Sequence, residues 1–251
     1  MLEILSHLYF KIVIISFLLS FLMGLAGFGC ALVLVPILVF LGVPFTVARG
    51  AGLFTNFLST LSSTFHNLKN GLIDFKTAIP VTLAGIIFAP IGAYLSHIIP
   101  EKILVIILIL ILLFGTLTAY LPTPSYTKKE ASLMFLIFLG AFSGFISGVL
   151  GIGGGIIVSS FLIIVGLNPK KVVTVTAFSI PFYSLAGFLT YWKIGSIDWS
   201  ITLLCAIPAL ISGYASAYIT YRYIKSKQIK KFLGLIFLLL AIKLINKFFN
   251  F

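Results

Sequence analysis

Two glycine clusters interrupt hydrophobic runs at matching places in the two halves of the chain. The denser cluster is Gly148–Gly155, and the weaker one is Gly24–Ala31, where the last two residues are Cys and Ala instead of Gly. Glycine lowers helix stability and accepts positive φ, so each cluster predicts an unwound backbone segment. Inside a bilayer, unwound backbone is tolerated only where protein buries it or where it lines a polar cavity. Paired breaks of this kind are typical of a transporter's binding site.

The composition requires a membrane protein. Of the 251 residues, 61% are hydrophobic and 9% are charged, and the mean hydropathy is +1.23. A chain this apolar does not fold in water as an ordinary domain. We therefore predict an all-α polytopic protein of the cell membrane, surrounded by the lipid bilayer. The net charge of +12 is assigned to short loops that set topology, so nucleic acid is not an expected partner.

The two halves repeat at a constant offset of 124 residues. This offset predicts an N-terminal transmembrane repeat over residues 1–121, a polar connector over 122–130 and a C-terminal transmembrane repeat over 131–251. Each half has room for about four to five hydrophobic helices, with the glycine-broken helices near the midplane. The matched pairs are Gly24 and Gly148, Gly27 and Gly151, Gly29 and Gly153, Gly42 and Gly166, Lys69 and Lys193, Gly71 and Gly195, Ile73 and Ile197, and Asp74 and Asp198.

The relative orientation of the halves depends on what each glycine break does. A discontinuous span would give four crossings per half and parallel repeats, whereas a re-entrant hairpin would give an odd number and inverted repeats. Inverted halves divide the 17 Lys and Arg residues 11 to 6 between the two faces, and parallel halves divide them about 9 to 8. The positive-inside rule therefore favours inverted repeats with both termini outside.

Two acidic residues occupy matched loop-to-helix junctions. Asp74 and Asp198 each follow a glycine that ends one helix, and each stands where the next helix begins. We predict that both cap that helix by accepting backbone N–H bonds. This assignment leaves no carboxylate inside the membrane. Cys30 and Cys205 lie in apolar runs, so we expect no disulfide framework and interpret them as small hydrophobic residues embedded in the membrane.

The glycine signatures and the duplicated halves resemble the TauE/SafE family of sulfite and organosulfonate transporters. The residues that carry the resemblance are Gly27-Phe28-Gly29 with Pro36, and Gly151-Ile152-Gly153-Gly154-Gly155. The pattern extends over nearly the whole chain, but it departs from the full glycine signature at Cys30 and Ala31. The resemblance implies a secondary transporter for small sulfur-containing anions, working by alternating access.

Chemistry indicates which residues would bind such an anion. Unwound glycine segments offer N–H groups, and the half-helix that follows adds a favourable dipole. The alternative is that the glycines only permit close helix packing. Hydroxyls and one amide follow each break, although membrane hydroxyls more often bond carbonyls of their own helix. The candidate substrate-binding residues are Gly27, Phe28, Gly29, Thr55, Asn56, Gly151, Gly153, Gly154, Gly155, Thr176 and Ser179.

Two further residues have alternative interpretations. Arg49 precedes an apolar run, where it would attract an anion or, as we favour, anchor the helix at the interface. His66 is the candidate for proton or ion coupling, against an ordinary interfacial role. No catalytic residue, metal site or cofactor is expected. An anion channel, an intramembrane enzyme and a non-transporting membrane protein are the rival functions, and the oligomeric state stays open.

Overall fold

A computed structural model describes residues 2–121, 131–223 and 226–249, and within them the secondary-structure elements are all α-helices joined by short loops. The all-α fold class is therefore confirmed, and the connector over 122–130 lies outside the described residues. The helices are α1 (Leu2–Ala26), α2 (Ala31–Phe40), α3 (Phe45–Lys69), α4 (Phe75–Leu95), α5 (Glu101–Tyr120), α6 (Leu133–Leu150), α7 (Gly155–Ile164), α8 (Pro169–Lys193), α9 (Trp199–Tyr223) and α10 (Ser226–Phe249).

Six helices in the described part of the chain are long and apolar enough to cross a membrane. They are α1, α4, α5, α6, α8 and α9, so the prediction of a multi-pass membrane protein is confirmed. In contrast, α2 and α7 each have 10 residues and reach about 15 Å, roughly half of the hydrocarbon thickness. With 25 residues, α3 is as long as α8 but carries a row of buried hydroxyls and amides.

Helix boundaries and backbone geometry recur 124 residues apart. The bounds of α2 and α7 match at this offset, as do those of α3 and α8, and α4 and α9 begin at matching residues. One departure lies in the breaks, because Gly154 is left-handed with φ 57° whereas its counterpart Cys30 is right-handed with φ −81°. The left-handed glycines that form matched pairs are Gly27 with Gly151, Gly29 with Gly153, Gly42 with Gly166, and Gly71 with Gly195.

Two matched helices, α3 and α8, cross at the centre of the protein and run antiparallel. Early residues of α3 contact late residues of α8, and late residues of α3 contact early residues of α8. The contacts are Arg49 with Tyr191, Leu53 with Gly187, Asn56 with Ser184, and Thr64 with Ala177. The packing brings a polar face of α3 against the second half of the chain.

The halves also interlock through α6 on α4 and α1 on α9. A stripe of small residues on α6, Gly140, Gly144 and Gly148, lies against the α4 backbone so closely that a Cβ at any of the three would clash with it. Gly24 plays the same part on α1, against Ser216 of α9. These glycines permit helix packing, as small residues do in membrane bundles.

The matched loops confirm one predicted cap and correct the other. Asp198 Oδ1 accepts a hydrogen bond from the backbone N–H of Ile201 at 3.1 Å, as expected for an N-cap. Asp74 makes no such bond. Its carboxylate instead accepts from the Thr77 hydroxyl at 3.2 Å and lies 3.9 Å from Lys171 Nζ, so the capping prediction is wrong there.

Candidate functional site

Both glycine breaks converge on the side chain of Asn56, near the middle of α3. A Cβ added to Gly29 would collide with Asn56 Oδ1, and a Cβ added to Gly153 would collide with Asn56 Nδ2. Both glycines have left-handed backbones, with φ 76° in each case. The amide is therefore clasped between two unwound segments that lie 124 residues apart in sequence. The structure thus brings together three of the predicted residues, Gly29, Asn56 and Gly153. Their meeting point is the Asn56 centre.

The breaks also contact each other. Gly155 opens α7, and its Cα lies against the backbone carbonyl of Phe28 in the other break, with no room for a Cβ. Neither α2 nor α7 has a side-chain hydrogen bond capping its N-terminus. The first N–H groups of a helix have no intrahelical acceptor, and the helix dipole makes this end electropositive. The contact places such a terminus beside the opposite break, a setting that favours an anion.

Several polar atoms beside the breaks are fully buried and have no hydrogen-bond partner within the described residues. Asn56 Nδ2 donates to Ser184 Oγ at 3.3 Å, but Asn56 Oδ1 has no partner. An unpaired buried polar group costs about 1–3 kcal/mol, and most such groups are paired. Oδ1 accepts and would need a donor from a solute, whereas the second N–H of Nδ2 can donate to an oxyanion. The other unpartnered atoms are Ser20 Oγ, Arg49 Nε, Thr55 Oγ1, Ser147 Oγ and Tyr183 OH.

Three other glycines of the breaks pack against residues other than Asn56. Gly27 lies against Val173 of α8, and Gly151 lies against the backbone of Arg49 on α3. Gly154 packs against the backbone of Ser143 on α6. All three have left-handed φ, so they shape the turns, whereas Gly29 and Gly153 touch the amide.

The predicted hydroxyls divide into bonded and unbonded groups. Thr176 Oγ1 donates to the Val172 carbonyl one turn back in α8, at 2.7 Å. Ser179 Oγ accepts from the Thr82 hydroxyl at 2.9 Å and donates to Val175 O at 3.0 Å. Both hydroxyls are therefore used within the protein. Thr55 is the exception, because its hydroxyl is buried without a partner.

His66 lies away from the breaks. It is ten residues beyond Asn56 on α3, or about 15 Å along the helix. Its ring is buried and makes edge contacts with Tyr214 and Tyr218 of α9, at centroid distances of 5.5 and 6.0 Å. The structure does not bring this candidate coupling residue to the Asn56 centre.

Arg49 is buried, so the favoured interpretation as an interface anchor is wrong. Only 2% of the residue is exposed, and its guanidinium lies over the rings of Phe45 and Tyr191, at 4.9 and 5.3 Å. A terminal nitrogen donates to the Val149 carbonyl at 3.1 Å. The loop beyond Tyr191 covers this end of α3. Burial, with a smaller effect of the Arg49 charge, lowers the pKa of His97 in the neighbouring loop.

Sequence reasoning missed two residues of the centre. Ser184 lies 124 residues after Thr60, which belongs to the polar row that follows the first break, so the repeat itself was the available signal. Tyr191 had no such signal, because its hydroxyl reaches the Gly148 carbonyl at 2.9 Å only through tertiary packing. Within the described residues, no group of three His, Cys, Asp or Glu side chains is placed to hold a metal ion. Both cysteines are free and buried.

Comparison with known proteins identifies relatives that align with most of this chain. A probable membrane transporter protein of Methanocaldococcus jannaschii is 28% identical over 222 residues, covering 80% of this chain and 82% of that protein. A probable membrane transporter protein of a Sinorhizobium species is 24% identical, covering 95% and 93% of the two chains. The probable membrane transporter protein YunE of Bacillus subtilis is 24% identical, covering 88% and 92%. No solved structure gives a significant match.

The family comparison covers the membrane domain from α1 to α10. The model described as sulfite exporter TauE/SafE matches residues 12–244, a range that includes both breaks and the Asn56 centre. The relatives are named as transporters, which argues against an intramembrane enzyme. This chain therefore belongs to the sulfite exporter TauE/SafE family of membrane transporters.

Proposed function

We propose that this protein is a secondary carrier for small sulfur-containing anions such as sulfite, sulfonates or related organosulfur compounds. The observation that carries the proposal is the convergence of Gly29 and Gly153 on Asn56. The second N–H of the Asn56 amide, uncapped helix N-termini and positive-φ backbone meet at one place. Backbone N–H groups and helix dipoles suit a compact tetrahedral or pyramidal oxyanion.

Alternating access in this proposal is a motion between two inverted repeats. The antiparallel course of α3 and α8 supports inversion, because these helices have matching bounds in the two halves yet opposite directions at their contact. The 10-residue helices α2 and α7 then act as half-helices that hold the breaks inside the membrane. Rocking one half against the other would open the Asn56 centre to each side in turn.

His66 is the coupling residue of the proposal, acting from the end of α3 without touching the solute. It contacts α9, which belongs to the other half of the chain, so its protonation state would bias how the halves meet. His66→Gln is expected to retain sulfite exchange and to lose sulfite accumulation driven by a pH gradient. Unchanged pH-driven accumulation would remove this role.

The substrate class is tested by thermal stabilisation of the purified protein in detergent. A ligand that binds the native state raises the apparent melting temperature by mass action. The panel is sulfite, sulfate, thiosulfate, taurine, sulfoacetate, acetate and chloride, at constant ionic strength. We expect selective stabilisation by one or more of the sulfur anions. Equal shifts with all anions, or stabilisation by acetate or chloride alone, would contradict the proposed substrate class.

A further inference from the structure

Arg49 differs in charge from the residue that matches it in the other half of the chain. Arg49 of α3 and Val173 of α8 are matched residues, 124 positions apart. Their settings also match, since Gly151 of one break lies against Arg49 and Gly27 of the other break lies against Val173. A buried guanidinium therefore stands at one end of the centre, and an isopropyl group stands at the equivalent end.

Among the residues that the structure describes, no carboxylate lies in contact with the charge of Arg49. Within the described ranges, the one ion pair is that between Lys171 and Asp74. Glu101 attracts the guanidinium only at longer range. Arg49 Nε has no hydrogen-bond partner in the described part of the chain, although only 2% of the residue is exposed. Buried charges are normally paired, because removing an ion from water is costly.

Arg49 faces the same break as the Asn56 amide. Arg49, Gly52 and Asn56 are spaced i, i+3 and i+7 on α3, so they share one helix face. That face lies along the second break, where Gly52 and Arg49 contact Gly151 and Asn56 contacts Gly153. The backbones of Arg49 and Asn56 are two helical turns apart, about 10 Å along the axis.

We infer that Arg49 recognises the negative charge of the transported solute, and that it does so at one end of the centre only. The inference rests on the proposed function and names the residue that selects anions. An oxyanion would accept from Nε and a terminal nitrogen of the planar guanidinium, an arrangement that Arg makes and Lys does not. Val149 O would keep its hydrogen bond from Nη1, because the oxyanion would use Nε and the other terminal nitrogen.

The rings of Phe45 and Tyr191 hold the guanidinium plane in position. Because Val173 replaces the cation at the equivalent position, the two access pathways differ in their attraction for an anion. A small oxyanion would bind first at the Arg49 end and then move along the second break toward Asn56.

The test measures sulfite affinity from the thermal shift of four variants. Arg49→Met keeps an unbranched apolar stem between the two rings but removes the charge, and Arg49→Gln keeps a donor for Val149 O. Arg49→Lys keeps the charge without the planar fork. Lys193→Met is the matched control, because it removes the same charge from an exposed residue at the end of α8.

Both neutral variants are expected to bind sulfite at least about tenfold more weakly than the wild type, the effect of losing a hydrogen bond to a charged group. Arg49→Lys should recover part of the affinity, and Lys193→Met should match the wild type. The melting temperature of Arg49→Gln without sulfite should not fall, since an unpaired buried charge has been removed while Val149 O keeps a donor.

Wild-type sulfite affinity in either neutral variant would overturn the inference. So would loss of the folded state in both neutral variants, because Arg49 would then have a structural role. Failure of the proposed function looks different. In that case the wild-type protein itself shows no selective stabilisation by a sulfur anion.

Discussion

The Asn56 side chain lies directly against the backbone of Gly153, and no Cβ fits between them. Asn56 belongs to the first half of the chain and Gly153 to the break of the second half. The contact therefore couples the conformation of one break to a side chain of the other repeat. This coupling suits a centre that must rearrange when the halves move, and it leads to the first prediction.

Gly153→Ala should abolish transport, whereas Gly42→Ala should not. Both glycines have left-handed φ, 76° and 91°, so each alanine costs about 1–2 kcal/mol of backbone strain. Only at Gly153 does the new Cβ also displace Asn56, since the space around Gly42 is open. Sulfite uptake into proteoliposomes and the melting temperature are measured for both variants. Equal transport by the two variants would remove Gly153 from the site.

Asn56→Ala should weaken sulfite binding by at least about tenfold with only a small loss of stability, about 1 kcal/mol or less. The affinity falls because Asn56 Nδ2 has a second N–H that can donate to an oxyanion. The stability loss is small because Oδ1 has no partner within the described residues and the bond from Nδ2 to Ser184 is long, at 3.3 Å. Asn70→Ala, at the residue that follows the same helix, is the control, because that amide bonds the His66 carbonyl at 2.7 Å and lies far from the breaks. A sulfite affinity unchanged in Asn56→Ala would exclude the amide from binding.

Thr55→Val and Thr176→Val should differ in their effects on stability and on sulfite affinity. Thr176 Oγ1 is bonded within α8, so its replacement should leave sulfite affinity unchanged within about twofold. Thr55 Oγ1 is buried and unpaired, so its replacement should raise stability by about 1 kcal/mol. If Thr55 contacts the solute, sulfite affinity falls at the same time. A weaker affinity in Thr176→Val alone would reverse the assignment of the two hydroxyls.

Single cysteines at Lys69 and Lys193 test the orientation of the repeats. The two lysines are matched and exposed at the ends of α3 and α8. Inverted repeats place them on opposite membrane faces, so a membrane-impermeant maleimide applied from one side should label one of them only. The native Cys30 and Cys205 are buried and should give little background. Labelling of both positions from the same side would indicate parallel repeats.

Much of the fold is predictable because it is local and duplicated. Hydrophobic runs predict the long helices, and the glycine clusters predict unwound backbone, for which Gly27, Gly29, Gly151 and Gly153 have the left-handed φ that glycine accepts. Asp198 caps its helix because its carboxylate accepts from the backbone N–H of Ile201, three residues later in the sequence. Asp74 does not, because Lys171 of the other half lies beside its carboxylate.

The centre itself depends on packing between the halves. An arginine before an apolar run looks like an interface anchor. Arg49 is buried instead, because Tyr191 and the loop that follows it cover this end of α3. Ser184 becomes part of the centre because α8 crosses α3 antiparallel there. Thr176 has the right residue type but bonds its own helix. Composition and spacing do not determine such tertiary contacts.

Counterflow of radiolabelled sulfite in proteoliposomes tests the central claim most directly. A carrier that alternates around the Asn56 centre exchanges one solute for another, so unlabelled sulfite inside the vesicles should accelerate and concentrate the entry of labelled sulfite. The acceleration should be absent in Gly153→Ala and present in Gly42→Ala. Entry that is independent of internal sulfite and does not saturate would indicate a channel, and no sulfite movement in either direction would contradict the account.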